Sequence, residues 1–213
     1  MTTEQLRHRM PPILKALKER SLRGRTPVEG LRRTECAYHG WDTVHADAAS
    51  WEPFAPGDAF GGLEAHHCFK GTVTLPEASA GKRVVCLVST GASDIWNNNN
   101  PQFLAYVDGR LVCGLDVNHN EFDLAACAVP GESHELALYV YCNTPARDVF
   151  LRVETAERDD DVTGLYYDLR APYEVCALLA DDDTRAIGIM KHLNRALNLL
   201  DLRDLDSGAF AQS

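Results

Sequence analysis

One short stretch of this 213-residue chain concentrates groups that bind cations or sugars. Asp116, Asn118, His119 and Glu121 lie within six positions and combine carboxylate, amide and imidazole groups. Such groups coordinate metal ions and exchange hydrogen bonds with sugar hydroxyls. Asp and Asn at this density are also typical of a turn whose side chains bond their own backbone, and the residue types favour that interpretation. The stretch is therefore predicted to be a turn and is kept as a candidate interface or sugar-facing loop.

A second candidate site begins at Trp96, which is followed by four consecutive asparagines. An indole ring offers an aromatic platform for a sugar, and the amides of Asn97 and Asn100 both donate and accept hydrogen bonds. Asparagine runs also populate left-handed turns, and a tryptophan at a strand end is usually part of a core. The structural interpretation is favoured, and the loop remains the second candidate.

Other groupings of potential ligands predict structural roles. His66 and His67 are adjacent in a predicted strand, so their side chains point to opposite faces and do not chelate one ion. Three carboxylates at 159–161 are most simply a solvated turn, with calcium as the less favoured alternative. We therefore expect no metal site and no cofactor in this chain.

The motifs of several enzyme classes are absent from the sequence. It contains no GxSxG elbow, no Walker A loop and no GxGxxG, and Gly61-Gly62 precedes a predicted strand instead of following one. We predict no catalytic residue. The cysteines are odd in number and form no CxxC pair, so they are predicted to be buried thiols in a reducing compartment. The seven are Cys36, Cys68, Cys86, Cys113, Cys127, Cys142 and Cys176.

Charge is distributed unevenly along the chain. Residues 1–33 hold nine Lys/Arg against three Glu, a net +6, whereas the whole chain carries −10 and the remainder therefore −16. An acidic body repels phosphate, which argues against nucleic-acid binding, and the basic segment is expected to dock within the molecule or between subunits. The sequence has neither an apolar run of membrane-spanning length nor a secretory signal, so we expect no membrane association and a cytoplasmic location.

Hydrophobic periodicity predicts a mainly β chain with helical ends. A short helix is expected over 12–20, because Pro11-Pro12 should interrupt the backbone hydrogen bonds before it, and irregular backbone is expected over 21–50. Asp108-Gly109 between two apolar runs predicts a hairpin with a type I′ turn. A leucine-rich stripe after Asp181 to Asp183 predicts a C-terminal helix. The predicted strands cover 66–75, 84–88, 103–107, 110–113, 135–141 and 149–154.

These elements predict three segments: a helical and irregular arm over 1–50, a β-sandwich over 51–158, and helices over 159–213. Several apolar residues of the predicted last helix lie outside its main apolar stripe. Another segment or a partner is therefore expected to pack against this helix.

Six passages together resemble the segment that precedes the catalytic domain in glycoside hydrolase family 38 α-mannosidases of the bacterial, vacuolar and cytosolic type. They occur in the family's order over about 26–205. The passages are TPVEG at 26–30, FAPGD at 54–58 with Gly61-Gly62, NPQFLAYVDG at 100–109, GLDVNH at 114–119, LYYDL at 165–169 and RALNLLDLR at 195–203. The pattern departs from the family at Phe60, Cys68 and 97–99, which puts any sugar-facing loop in doubt.

The resemblance implies a galactose-binding-like jelly-roll β-sandwich that packs on a catalytic barrel absent from this chain. That barrel would supply the zinc and the carboxylates of a retaining mechanism. The expected function is a non-catalytic accessory domain, with the catalytic domain or the chain's own oligomer as partner. A stand-alone carbohydrate-binding module and a remnant that regulates full-length mannosidase are the alternatives.

Overall fold

The computed structural model describes residues 3–91, 101–180, 182–207 and 210. The chain divides into two compact units, one formed by residues 24–157 and the other by residues 1–23 together with 158–213. Each unit has a buried apolar core of its own. The first unit is mainly β and the second is helical.

The β unit is built from two antiparallel sheets that pack as a sandwich, which confirms the predicted fold class. A four-stranded sheet has the order β1-β10-β5-β8, and a six-stranded sheet has the order β3-β2-β4-β9-β6-β7. The strands are β1 Leu22–Pro27, β2 Arg32–Cys36, β3 Glu52–Pro53, β4 Ala59–Thr74, β5 Arg83–Ser89, β6 Gln102–Val107, β7 Arg110–Leu115, β8 Glu121–Ala125, β9 Ser133–Phe150 and β10 Arg152–Arg158.

Alternate residues of the strands fill the space between the two sheets. Phe69 of β4 and Leu138 and Val140 of β9 are fully buried there, together with Phe103 of β6. Strand β5 is covered on both faces, since Val84 to Val88 are all buried, as its continuous apolar run predicts. Burial of this apolar surface is the main force that holds the sheets together.

The hairpin between β6 and β7 forms as predicted. Asp108 and Gly109 have φ angles of 50° and 74°, the two positive values that a type I′ turn requires. The Asp108 carboxylate accepts a hydrogen bond from the backbone N–H of Glu135 (2.8 Å) and contacts His134 Nδ1 (2.9 Å). The turn is thereby tied to the start of β9.

Two predicted boundaries in the β unit are wrong. The segment 21–50, predicted to be irregular, contains β1 and β2, because β2 pairs along the outer edge of β4 from Arg32 to Cys36. Strand β9 continues through 142–150, beyond the strand predicted at 135–141, because it pairs with the first half of β4 across two irregularities. Gly61 and Gly62, both at φ 125°, supply the backbone that the first irregularity needs.

The helical unit contains α1 Thr3–Arg20, α2 Asp160–Ala177 and α3 Thr184–Leu199. The predicted start of α1 at residue 12 is wrong, because the helix continues through Pro11 and Pro12. A proline cannot donate to the carbonyl four residues earlier, which for Pro11 is that of Arg7. The Tyr173 hydroxyl of α2 donates to that carbonyl instead (3.3 Å), and Met10 is completely buried. Packing thus compensates for the interrupted ladder.

Carboxylates cap the other two helices. Asp183 accepts from the backbone N–H of Arg185 (2.8 Å) at the start of α3, as predicted. Asp159 accepts from the N–H of Val162 (3.1 Å) and pairs with Arg20 (3.0 Å), so the acidic run at 159–161 begins α2. None of the helices in the described part of the chain has the length and apolar character needed to cross a bilayer.

Candidate functional site

The outer face of the six-stranded sheet carries polar and aromatic side chains, in contrast to its inner face. Because side chains alternate along a strand, Tyr139 and Tyr141 of β9 point away from the core that holds Leu138 and Val140. Strand pairing aligns the outward residues of neighbouring strands in rows. One row contains His66, Tyr141 and Gln102, and the next contains Cys68, Tyr139, Leu104 and Gly114.

A recess of about 340 Å³ opens on this face. Gly114 contributes space to it, since a Cβ at this position would meet only the Phe103 carbonyl oxygen, at 3.7 Å. The recess therefore combines aromatic surface with a few hydrogen-bonding groups, as small-ligand sites commonly do. The lining side chains that project polar or aromatic groups are Tyr139, Tyr141, Gln102 and Asp116.

A cluster of rings from the segment that follows β2 packs on the same face. Trp41, in a 3₁₀ turn over Gly40–His45, makes an edge contact with Tyr139 (ring centroids 6.4 Å apart) and with His39 (4.6 Å). Tyr38 makes an edge contact with His66 (5.5 Å). Aromatic and imidazole rings thus cover part of this outer face near the strand ends.

A buried hydrogen bond fixes the two central rings of this face. The Tyr139 hydroxyl lies 2.7 Å from His66 Nδ1, and the backbone N–H of His39 also bonds to the Tyr139 oxygen. The Tyr139 hydroxyl and the His66 imidazole are thus held against each other by this hydrogen bond. Burial, followed by the nearby His39, lowers the pKa of His66, and burial raises the pKa of Tyr139. Both groups are accordingly neutral near pH 7.

The turn predicted at Asp116 lies at the edge of the recess. Asp116 Oδ1 accepts from the backbone N–H groups of Asn118 and His119, both at 2.7 Å, and lies 3.3 Å from His119 Nδ1. The N–H of His119 is the main cause that lowers the pKa of Asp116, so the carboxylate is charged. Its side chain bonds its own turn, and it is also a predicted site residue that lines the recess.

Among the described residues, three further predicted site residues, Asn118, His119 and Glu121, do not line the recess. Asn118 and His119 are exposed in the turn, and Glu121 begins β8 of the four-stranded sheet. Trp96, Asn97 and Asn100 lie outside the described residues. Across the described ranges, no three His, Cys, Asp or Glu side chains are grouped to hold a metal ion.

The two adjacent histidines occupy opposite faces, as predicted. His66 bonds Tyr139 on the outer face, whereas His67 lies inside the sandwich beside Phe60 (5.5 Å). His67 Nε2 contacts the Gly61 carbonyl oxygen (3.3 Å), and no partner for its Nδ1 is found among the residues described. Burial is the main cause that lowers its pKa.

Sequence reasoning missed the tyrosines and Gln102 as site residues. The alternation of 137–142 contained a usable signal, because Tyr139 and Tyr141 share one face while Leu138 and Val140 share the other. Two tyrosines on the face opposite the core of a central strand are a signal that could have directed attention to this face.

Comparisons with known proteins give solved structures but no sequence family. No family model and no curated protein matches the chain. The similar structures include β-glucuronidases from Ruminococcus gnavus (TM-score 0.47, 9% identity), Bacteroides uniformis (0.46, 11%) and Faecalibacterium prausnitzii (0.43, 14%). The matches cover 64%, 63% and 65% of this chain but only 29%, 18% and 32% of those chains.

The expected membership of glycoside hydrolase family 38 is wrong. The similar structures named above are β-glucuronidases and not α-mannosidases, and no family model matches the chain, the six passages included. Short stretches such as VDG at 107–109 are accounted for by local structure, because a type I′ turn demands Asp-Gly in many unrelated hairpins.

Proposed function

We propose that residues 24–157 form a non-catalytic accessory domain of a carbohydrate-active protein, which binds a neutral sugar in the recess on the outer face of the six-stranded sheet. The observation that carries the proposal is the recess of about 340 Å³ lined by two tyrosines, an amide and a carboxylate. Its volume lies near the lower end of the range of about 300–1,000 Å³ that small-ligand sites have.

The lining groups match the chemistry of a sugar ring. The apolar C–H face of a pyranose packs on an aromatic ring, and the half-buried Tyr141 offers such a ring, while the largely buried Tyr139 lines the recess beside it. Gln102 is paired opposite Tyr141 and offers both a donor and an acceptor to hydroxyl groups. The combination favours a ligand with one apolar face and several hydroxyls.

The charge of the recess favours a neutral sugar over an acidic one. Asp116 carries a negative charge at the edge, and the described lining residues include no lysine or arginine. The whole chain is also acidic, with a net charge of −10. A sugar carboxylate would therefore meet repulsion without a compensating cation.

The absence of a paired carboxylate supports a binding role instead of hydrolysis. Glycosidases of the common kinds use two carboxyl groups about 5–10 Å apart on either side of the bond that is cleaved. Asp116 is the single carboxylate among the lining residues that the structure describes, and its Oδ1 is engaged by its own turn. Binding without cleavage is the function that this arrangement supports best.

Titration calorimetry of the full chain tests the proposal, with methyl glycosides of glucose and galactose as neutral ligands and D-glucuronic acid as the acidic comparison. We expect millimolar or tighter binding of a neutral glycoside and at least about a tenfold loss in Tyr141→Ala, because the variant removes one aromatic face. Tyr167→Ala is the matched control, since Tyr167 is an exposed tyrosine of α2.

Two results would contradict the proposal. The first is the absence of heat with every neutral sugar at millimolar concentration. The second is a Tyr141→Ala variant that binds as tightly as the wild-type chain while the circular dichroism of both is the same.

A further inference from the structure

Two cysteines lie in contact beneath the aromatic rings of the outer face. Cys36 is the last residue of β2 and Cys68 lies in β4, where the register pairs Cys36 with His66 and Thr34 with Cys68. The two thiols are thus diagonal neighbours on the same face of adjacent strands. Their sulfur atoms are 3.7 Å apart.

We propose that Cys36 and Cys68 form a redox-active dithiol, which a hydroperoxide converts into a disulfide. The inference does not depend on the proposed sugar site, because it concerns the thiols alone.

The two thiols differ in accessibility and acidity in the way that such a pair requires. Cys36 is partly exposed, whereas Cys68 is completely buried. The hydrogen bond from Cys68 lowers the pKa of Cys36, and the same bond together with burial raises the pKa of Cys68. Cys36 is therefore the thiol that reaches solvent and ionises more readily of the two, and Cys68 is the buried thiol behind it.

The chemistry balances in two steps. The Cys36 thiolate attacks one oxygen of the hydroperoxide, the O–O bond breaks, and the products are the Cys36 sulfenic acid and an alkoxide or hydroxide that takes up a proton. The Cys68 sulfur then attacks the sulfenic sulfur, the S–S bond forms, and the Cys68 proton leaves with the hydroxyl group as water. The two thiols lose two electrons in all, and the peroxide gains them.

The Cys36 and Cys68 sulfur atoms must move closer together before a disulfide bond can form. A disulfide bond is about 2.0 Å long, so the sulfur atoms must approach by about 1.7 Å from their present 3.7 Å. The end of β2 lies at an edge, since β3 pairs only with Arg32 and Arg33, and the residues after them pair with β4 on one side. The chain also leaves the sheet directly after Cys36. Closure therefore displaces the end of an edge and not a central strand.

Peptide mapping of the oxidised full chain tests the inference. The reduced wild-type chain is treated with hydrogen peroxide, its remaining thiols are alkylated, and it is digested without reductant. We expect a cross-linked peptide that joins Cys36 to Cys68 and the loss of two thiols per chain, while the exposed Cys127 stays alkylated. Dithiothreitol should restore both thiols.

A Cys68→Ser variant separates the two steps. It should accumulate a Cys36 sulfenic acid that dimedone traps, because the second thiol is missing. A Cys127→Ser variant is the matched control and should cross-link like the wild-type chain. The inference is overturned if peroxide leaves Cys36 and Cys68 alkylated, joins a different pair of cysteines, or oxidises Cys36 to the sulfinic acid without a cross-link in the wild-type chain. The map of the wild-type chain decides these outcomes even if a variant fails to fold.

Discussion

The two faces of the six-stranded sheet use the same strands for different purposes. Residues at alternate positions differ sharply, since Leu138 and Val140 face the other sheet while Tyr139 and Tyr141 face outward. Most of the described inner-face residues are apolar, and His67 is a buried polar one. The outer face carries imidazole, phenol, thiol and amide groups, and a recess opens beside its tyrosines and Gln102. The comparison indicates that stability depends mainly on the inner face, and that chemistry is concentrated on the outer one.

The largest expected effect on stability comes from a substitution in the core at the inner face. Phe69→Ala removes a completely buried ring that contacts Phe54 and Phe60 in the core, so it should lower the free energy of unfolding by about 3–5 kcal/mol. Urea denaturation monitored by circular dichroism measures the loss. Leu104→Ala on the outer face is the comparison and should have a clearly smaller effect, since Leu104 is only partly buried. Equal losses in the two variants would contradict the assignment of stability to the inner face.

An effect of intermediate size is the pH dependence of stability that the buried His67 of the inner face should cause. Burial lowers the pKa of His67 below its value of 6.5 in an unfolded chain, so the unfolded state binds a proton that the folded state does not. The stability is therefore complete above pH 6.5 and falls as the pH decreases below it, with a slope of at most about 1.4 kcal/mol per pH unit for one proton. Urea denaturation between pH 7.5 and 5.5 measures the slope.

Two matched variants test whether His67 causes the pH dependence of the free energy of unfolding. His67→Leu should reduce the dependence on pH, whereas His119→Gln, in the exposed turn, should keep it. The buried His66 also has a lowered pKa and contributes in the same direction, so some dependence remains in His67→Leu. An unchanged slope in His67→Leu would show that His67 does not titrate on unfolding.

The alternation that separates the two faces was largely predictable from the sequence. The strands predicted at 66–75 and 84–88 and the Asp-Gly turn each depend on neighbouring residues, and all three are present, although β4 begins at Ala59 and its residues 66–70 are buried on both faces. The sandwich follows from these strands. Helix α1 was mispredicted because its integrity depends on Tyr173 of α2, a contact that no local pattern reveals.

The recess was not predictable in the same way. It is formed where β9, β6 and β7 lie side by side, so Gln102, Gly114 and Tyr141 meet only through strand pairing. A sequence gives the face on which each side chain lies but not which strands are neighbours, because register is set by long-range packing. The motif-based choice of Asp116 found the edge of the recess, and its neighbours Asn118 and His119 proved to belong to the turn alone.

The smallest expected effect concerns Asp116, which lies at the edge of the recess on the outer face. Asp116→Asn keeps an oxygen that can accept from the N–H groups of Asn118 and His119, so the free energy of unfolding should change by no more than about 0.5 kcal/mol. The substitution also removes the negative charge from the recess. If the site binds neutral sugars and repels acidic ones, affinity for D-glucuronate should rise about two- to fivefold, as expected for the loss of one exposed charge repulsion. Affinity for the neutral glycoside should stay the same. Calorimetry measures both, with Asp148→Asn, an exposed aspartate of β9 that does not line the recess, as the control. A gain for glucuronate that appears equally in both variants would attribute the effect to net charge, and no gain in either would show that Asp116 does not select against acidic sugars.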